Sequence, residues 1–290
     1  MRTLSEALDH RVLLCDGSLA RQLRAHDLDP ARDLLGVPDG IEALSLTRAR
    51  LLRDLHIAYL EAGADVLRTN TLAASPLTLA RHDLGESAFC LNYSAAEIAC
   101  QAVDTVPGQG RRRFVLGVVR DQGWDEAPKV IEDAVSVQVE GLLAGGADGI
   151  ALDLLAGTGR ARIFLTGARR AKQRLGARAP VFLQRTPGGA EFSEAMHALA
   201  DGIIDYRHGP APGSRARGDW LEAAIQEEWI NLLGGGDTPA DTARLDAALR
   251  AQAEDGLRPV TAWRRDPARD ETEPASSTLY PELEPAQVGS

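Results

Sequence analysis

The sequence has little cysteine, and all of it lies early in the chain. Its three cysteines, Cys15, Cys90 and Cys100, stand at unrelated spacings among 290 residues. A disulfide scaffold needs an even, regularly spaced set, so we predict a reduced, cytoplasmic protein without disulfides. Because no cysteine follows Cys100, the rest of the chain offers no thiol as a ligand or nucleophile.

Other common signals are also missing. There is no run of about 18 apolar residues, so no membrane helix is expected. The first twenty residues contain acids and no long apolar stretch, which argues against an ordinary signal peptide. A formal net charge of −10 argues against nucleic acid or an anionic membrane as the main partner. The glycine runs at 188–189 and 234–236 complete no nucleotide fingerprint, and we expect no cofactor.

What the sequence does contain is an alternation of short apolar runs and helical patterns, as parallel β/α units require. The runs are apolar almost throughout, which is typical of strands covered on both faces. Gly63 and Gly146 stand where a helix is predicted to end and a strand to begin. The predicted strands are 12–16, 65–71, 114–119, 149–154, 180–184, 202–206 and 229–233. The predicted helices are about 47–62, 75–83, 87–104, 128–145, 159–175, 190–200, 219–228 and 240–252.

Length and composition set the domain organisation. With 44% hydrophobic residues the chain can bury one large core, and barrels of about 250 residues are routinely single domains. We expect a barrel over residues 1–256. Residues 257–290 form an acidic, proline-containing tail that is predicted to be disordered.

Four segments resemble one protein family. They are 12–20 (VLLCDGSLA), 42–48 (EALSLTR), 59–71 (YLEAGADVLRTNT) and 232–239 (LLGGGDTP). They are similar to segments of the homocysteine S-methyltransferase family, which includes the homocysteine domain of cobalamin-dependent methionine synthase. The resemblance covers residues 10 to 252. It implies an α/β fold, a TIM-type (β/α)8 barrel, with its site at the C-terminal ends of the strands.

The strand count falls short of eight. Seven strands are predicted, and the stretch 185–228 is short by roughly thirty residues for the two further β/α units that the family has there. The run 203–210 can stand for either the sixth or the seventh strand of the family. We therefore predict a barrel shortened by about one β/α unit.

Two acids close predicted strands at the expected mouth of the barrel. Asp16 ends the first strand, before Gly17, and Asp153 ends the fourth. The resemblance implies that these carboxylates hold the ammonium group of an amino-acid-like substrate, with Gly17, Thr69 and Asn70 completing the binding set. The simpler alternative is that Asp16 shapes its turn and Asp153 caps the next helix. Two acids at one mouth are costly without a cationic ligand or partner.

Arg68 stands where the family has a glutamate. It can pair with Asp16 or with Asp153, and either pairing would replace the ammonium pocket with an internal salt bridge. His56 and His82, both on predicted helices, are expected at the surface or at the rim.

The larger departure concerns zinc. In the family the late loop reads GGCCGTTP and its two cysteines are zinc ligands, whereas segment 232–239 contains none. A thiol with a pKa near 8.5 is mostly protonated at neutral pH, and zinc coordination converts it to a thiolate. We therefore expect no bound metal and no zinc-dependent homocysteine methylation, and no catalytic residue is identified. A substitute site built from Asp205, His208 and Asp237 is the less favoured alternative.

These features favour a divergent homocysteine S-methyltransferase-like protein of methyl and sulfur-amino-acid metabolism. The alternative is a non-catalytic subunit, scaffold or small-molecule-binding pseudoenzyme of the same fold, and whether the chain is an enzyme stays open. We also expect a second protein chain to contact 219–229, since Leu221, Ile225 and Trp229 share a helical face next to the shortened unit. The alternative is that 207–218 covers this gap in a monomer.

Overall fold

The computed structural model describes residues 3–37, 39–108, 111–154, 158–185, 200–208 and 231–251. The strands in these ranges are β1 Leu13–Leu14, β2 Val66–Arg68, β3 Phe114–Arg120, β4 Gly149–Asp153, β5 Val181–Arg185, β6 Gly202–His208 and β7 Leu232–Gly234. The α-helices are α1 Leu4–His10, α2 Leu19–Arg24, α3 Leu44–Thr47, α4 Ala49–Glu61, α5 Pro76–Leu79, α6 Ala88–Thr105, α7 Pro128–Ala144, α8 Thr158–Leu175 and α9 Pro239–Ala251.

The seven strands are all parallel and follow the order β1-β7-β6-β5-β4-β3-β2. The two ends of this order also meet. A parallel bridge joins Cys15 to Val66, and the amides of Asp65 and Asp16 donate to the carbonyls of Leu14 and Val66 at 2.7 and 2.8 Å. Every described strand therefore has a neighbour on each side, as in a barrel.

The predicted alternation of strands and helices is confirmed from β1 to β5, and seven strands are present in the described ranges, as expected. β6 pairs with β5 through its first half, at Phe182 and Gly202, and with β7 through its second half, at Tyr206 and Leu232. Direct pairing on both sides of β6 leaves no position for a further strand between β5 and β7. The shortened barrel thus matches the prediction, and whether β6 corresponds to the family's sixth or seventh strand stays open.

Aspartates just before three strands tie neighbouring strands together at the N-terminal end of the sheet. The Asp65 carboxylate accepts from the Leu14 amide at 3.0 Å. Asp148 and Asp201 repeat this bond toward the amides of Val115 and Val181. Gly63 and Gly146, at the helix ends before two of these aspartates, have φ of +103° and +100°, the left-handed conformation that their positions predicted.

The strands separate two hydrophobic clusters because successive side chains point to opposite faces. The outer cluster fills the space between the sheet and helices α4, α6, α7 and α8. The inner cluster consists of Leu13, Cys15, Val66, Phe114, Leu116, Ala151, Phe182, Ile204, Tyr206 and Leu232, together with Leu4, Ala7 and Leu8 of α1. Helix α1 begins at a capping box between Thr3 and Glu6 and closes the N-terminal end of this interior.

Several element boundaries differ from the prediction. β2 ends at Arg68 instead of residue 71, because the Thr69 and Thr71 hydroxyls take over the hydrogen bonding toward β3. The predicted helix 75–83 is α5 followed by a 3-10 turn, Ala80–His82, and Asp83 leaves it at φ 60°. β6 extends two residues beyond its predicted end, to His208.

Other predictions fall outside the described residues. They are the helices 190–200 and 219–228, the proposed contact surface at 219–229, and the tail 257–290. No helix of the described chain is long and apolar enough to cross a membrane.

Candidate functional site

Side chains two residues apart on a strand face the same way, so the inner cluster continues to the C-terminal strand ends. The layer that it forms there lines the mouth of the barrel. Its members are Arg68, Arg120, Asp153, Gln184 and Tyr206. Two arginines and one acid therefore point into the mouth, and Asp16 joins them from the end of β1.

Arg68 pairs with Asp16, the first of the two partners that its position allowed. The Asp16 carboxylate accepts from the Arg68 backbone amide at 3.0 Å and lies 3.5 Å from the guanidinium Nε. The guanidinium also lies 4.5 Å above the ring of Tyr206, across the barrel, in a cation–π contact. Asp16 is 1% exposed and the Arg68 side chain 16%, so this is a nearly buried ion pair.

Asp153 has its own arginine. Arg120, its partner in the register of β3 and β4, donates from Nε to the carboxylate at 2.7 Å. The Arg120 side chain is 41% exposed. Next along the chain, Asp121 is buried and receives two bonds from the Arg160 guanidinium. Both acids expected to hold an ammonium group are thus matched by arginines of the protein itself.

The remaining predicted binding residues, Gly17, Thr69 and Asn70, are packed against or bonded to the backbone of neighbouring segments. A Cβ on Gly17 would lie 2.4 Å from the carbonyl oxygen of Gly236, so this turn packs directly under the loop after β7. Thr69 accepts from the Val118 amide, and Asn70 donates to the carbonyl of Ile41 at 2.7 Å. These side chains are engaged with the backbone, and their contact with a ligand stays a prediction.

Behind Asp16 lies a buried group of titratable side chains. The Cys15 thiol donates to its carboxylate at 3.3 Å, and Nδ1 of His56 lies 3.9 Å away. Burial raises the pKa of Asp16 to about 6, although Arg68 opposes the rise. Burial also lowers the pKa of His56 to about 4 and raises that of Cys15 well above its usual range. At neutral pH these groups are a protonated thiol, a carboxylate and a neutral imidazole.

His56 was expected at the surface or rim, and that expectation is wrong. It is 1% exposed, one helical turn from both Leu52 and Leu60 on the buried face of α4. His82 is exposed at the rim, as expected.

The loop after β7 does not fit the zinc site that the resemblance implies. A Cβ on Gly235 would lie 2.4 Å from Thr242 Oγ1 and 2.6 Å from the carbonyl oxygen of Cys15. Gly236 has a φ of +85°, which disfavours any side chain. Asp237, the acid of this loop, pairs with Arg21 at 2.7 Å. The loop can therefore carry no cysteine at 235 without a backbone shift.

The described residues contain no group of three or more His, Cys, Asp or Glu side chains placed to hold a metal ion. The less favoured substitute site includes Asp205 and His208, whose side chains lie outside the described part of the chain.

Sequence reasoning missed three polar residues of the mouth, Arg120, Gln184 and Tyr206, and Gln184 has a feature of its own. It is 2% exposed, and its Oε1 has no hydrogen-bond partner among the described residues. A buried amide oxygen without a donor is uncommon, and it marks Gln184 as a candidate contact for a ligand or a water molecule.

The parallel sheet, whose two ends meet at Cys15 and Val66, carries a polar layer at its C-terminal strand ends. These features define a β/α-barrel, a fold in which active sites lie at that end of the strands. The family model for homocysteine S-methyltransferase matches residues 13–204. The chain belongs to the homocysteine S-methyltransferase family.

Curated relatives agree with this assignment. Methionine synthase from Mycobacterium tuberculosis is 33% identical over 209 residues, which is 68% of this chain and 17% of the relative. Methionine synthase from Mycobacterium leprae is 28% identical over 343 aligned positions, covering 99% of this chain and 28% of the relative. The chain thus corresponds to less than a third of either enzyme's length.

Solved structures support the fold. The metallated form of the homocysteine methyltransferase MmuM from Escherichia coli aligns with a TM-score of 0.63 at 21% identity, covering 84% of this chain and 96% of that one. Its oxidized form aligns with a TM-score of 0.59 at 20% identity, covering 81% and 95%.

Proposed function

We propose that this barrel binds an amino-acid-like small molecule at its mouth, within methyl and sulfur-amino-acid metabolism, and does not carry out zinc-dependent homocysteine methylation. One observation carries the proposal. Asp16 and Asp153, the two acids that the resemblance assigns to an ammonium group, are paired with Arg68 and Arg120.

The charge balance of the mouth favours one kind of ligand. A simple amine must displace an arginine from one of the two acids before it can bind there. An amino acid brings a carboxylate as well, which suits arginine through paired N–H donors. The unpartnered oxygen of Gln184 adds an acceptor for an ammonium or hydroxyl group. Amino acids are therefore expected to bind in preference to the corresponding amines.

The loop after β7 supports the second half of the proposal. The loop contains no cysteine, so it has no thiolate ligand. Gly235 is packed against Thr242 and the Cys15 carbonyl, so the loop also has no room for a side chain at that position. Without zinc, homocysteine stays mostly a thiol at neutral pH, and its attack on a methyl donor is correspondingly slow.

The test combines metal analysis with two assays. Elemental analysis of the purified protein should find no stoichiometric zinc, and methionine formation from homocysteine should be at background with methyltetrahydrofolate, betaine and S-methylmethionine. In a thermal-shift screen, homocysteine and methionine should stabilise the protein more than their decarboxylated amines.

Two results would overturn the proposal. One tightly bound zinc per chain together with chelator-sensitive methylation would restore the ordinary chemistry. Equal stabilisation by the amines would show that the arginines do not govern the mouth.

A further inference from the structure

A cavity lies at the rim of the barrel, outside the mouth layer. It has a volume of about 230 Å³ and a mostly apolar wall that includes Val37, Leu79 and Leu84. Glu42 lines it from the segment before α3, and His82 lies at its edge. We call this space the rim cavity. No residue of the mouth layer lines it.

Glu42 is a nearly buried acid, with 7% of its surface exposed. Its Oε1 accepts from the Ala73 amide at 3.0 Å, and its own amide also bonds to the carboxylate. No arginine, lysine or histidine of the described residues lies within ion-pair distance of it. Burial raises the pKa of Glu42, and the distant charges of Arg24 and Arg120 only partly oppose this.

A carboxylate in such surroundings is costly unless something compensates its charge. Two backbone amides supply part of that compensation. The rest must come from a proton or from a positive group in the adjacent space. Apart from His82 at its edge, the described residues that line the rim cavity include no basic side chain. Their second acid, Asp39, is exposed and lies 3.8 Å from Arg24, so Glu42 sets the charge of the space, which selects against anions.

We propose that the rim cavity binds a small organic cation, an alkylated ammonium, with its charge on Glu42 and its alkyl groups against Val37, Leu79 and Leu84. A bare metal ion is a poor match, because hard cations take six or more oxygen ligands and the wall is largely apolar. The volume lies below the 300–1,000 Å³ that holds a drug-sized ligand, so the cation is small. The proposal does not depend on what the mouth binds.

Tetramethylammonium chloride is the direct probe, measured by thermal shift and by saturation-transfer NMR on the full chain. Sodium chloride at equal ionic strength controls for salt, and tert-butanol controls for the alkyl groups without the charge. We expect a saturable rise in melting temperature and methyl saturation transfer with tetramethylammonium, and neither effect with the two controls.

Three variants locate the binding. Glu42→Gln keeps an acceptor for the Ala73 amide and removes the charge, so the affinity should fall at least tenfold. Ala73→Leu keeps the charge and fills the cavity, and it should abolish binding. Glu86→Gln removes an exposed acid outside the cavity and should bind as the wild type does.

Unchanged binding in Glu42→Gln or in Ala73→Leu would overturn the proposal, as would equal responses to tetramethylammonium and sodium. If Glu42→Gln fails to fold, Ala73→Leu and the tert-butanol control still decide between a filled site and a structural acid.

Discussion

Buried acids at the mouth of the barrel and at its rim differ in how their charge is compensated. At the mouth, Asp16 and Asp153 each have an arginine at the end of an adjacent strand, Arg68 on β2 and Arg120 on β3. At the rim, Glu42 has backbone amides and open space. The strand register places the counter-charges at the mouth, whereas Glu42 precedes α3 and lies outside that register. Asp16 and Asp153 are thus neutralised by arginines of neighbouring strands, whereas Glu42 has no such partner among the described residues.

The largest expected effect comes from removing the buried arginine of the mouth. Arg68→Met should lower the free energy of unfolding by about 3–5 kcal/mol, because it leaves Asp16 buried without its opposite charge. Urea unfolding followed by circular dichroism measures the change. Adding Asp16→Asn to Arg68→Met should recover part of the loss. An unchanged unfolding midpoint in Arg68→Met would mean that the pair contributes nothing.

The next effect is a pair of opposing pH dependences behind the mouth. The pKa of Asp16 is raised in the folded protein to about 6, so this group loses stability as pH rises from about 4 to 6. The pKa of His56 is lowered to about 4, so this group gains stability as pH rises from about 4 to 6.5. Each contribution is on the order of 2–3 kcal/mol, and the two partly cancel in the wild type.

Single variants separate the two contributions. Asp16→Asn should make stability rise more steeply with pH in this interval, and His56→Gln should make it fall. Urea midpoints measured across the interval give both slopes. Parallel curves for the two variants would show that neither group is perturbed. Glu42, whose pKa is also raised, has the same sign as Asp16 and is present in both variants.

The exposed arginine of the mouth should matter less. Arg120→Met removes the 2.7 Å bond to Asp153, but the Arg120 side chain is 41% exposed and water can replace much of the interaction. We expect a loss of about 1 kcal/mol or less, reduced further by salt. The comparison with Arg68→Met is made under the same unfolding conditions. A loss as large as that of Arg68→Met would remove the distinction between the two pairs.

The smallest stability effect is expected at the rim. Glu42→Gln keeps the bond from Ala73 and removes an uncompensated charge, so the unfolding free energy at neutral pH should stay equal or rise by up to about 1 kcal/mol. A drop of several kcal/mol would mean that Glu42 has a counter-charge after all, and the contrast between mouth and rim would fail.

The sequence predicts most of the fold because the buried strands are uninterrupted apolar runs. The prediction misplaces the end of β2. At Thr69 and Thr71 the side-chain hydroxyls, and not the backbone, bond to β3, and the hydrophobic pattern of the sequence does not reveal that change. The burial of His56 could be predicted from the sequence, because residues 52, 56 and 60 follow an i, i+4 spacing and share one face of α4. The polarity of histidine alone favours a surface position, but the place of His56 on the apolar face of α4 is the stronger indication.

The sequence predicted several of the charged residues at the mouth, but not which arginine pairs with which acid. Asp16, Asp153 and Arg68 were identified from strand ends, yet the choice of partner for Arg68 depends on which strands are neighbours. The contact between β1 and β2 places Arg68 beside Asp16, and the register of β3 and β4 gives Asp153 to Arg120. Gln184 and Glu42 were missed because neither residue type nor spacing reveals how deeply a side chain is buried.

Helix α1 determines by which end of the barrel a ligand can enter and leave. Leu4 and Leu8 fill the N-terminal end of the interior, so in the described part of the chain that end is sealed by side chains. A molecule held at the mouth must then leave by the side from which it entered. Entry of a second molecule and departure of the first use the same opening, so exchange is sequential. Dissociation rates that stay constant as competing ligand is added would be the kinetic sign of this arrangement.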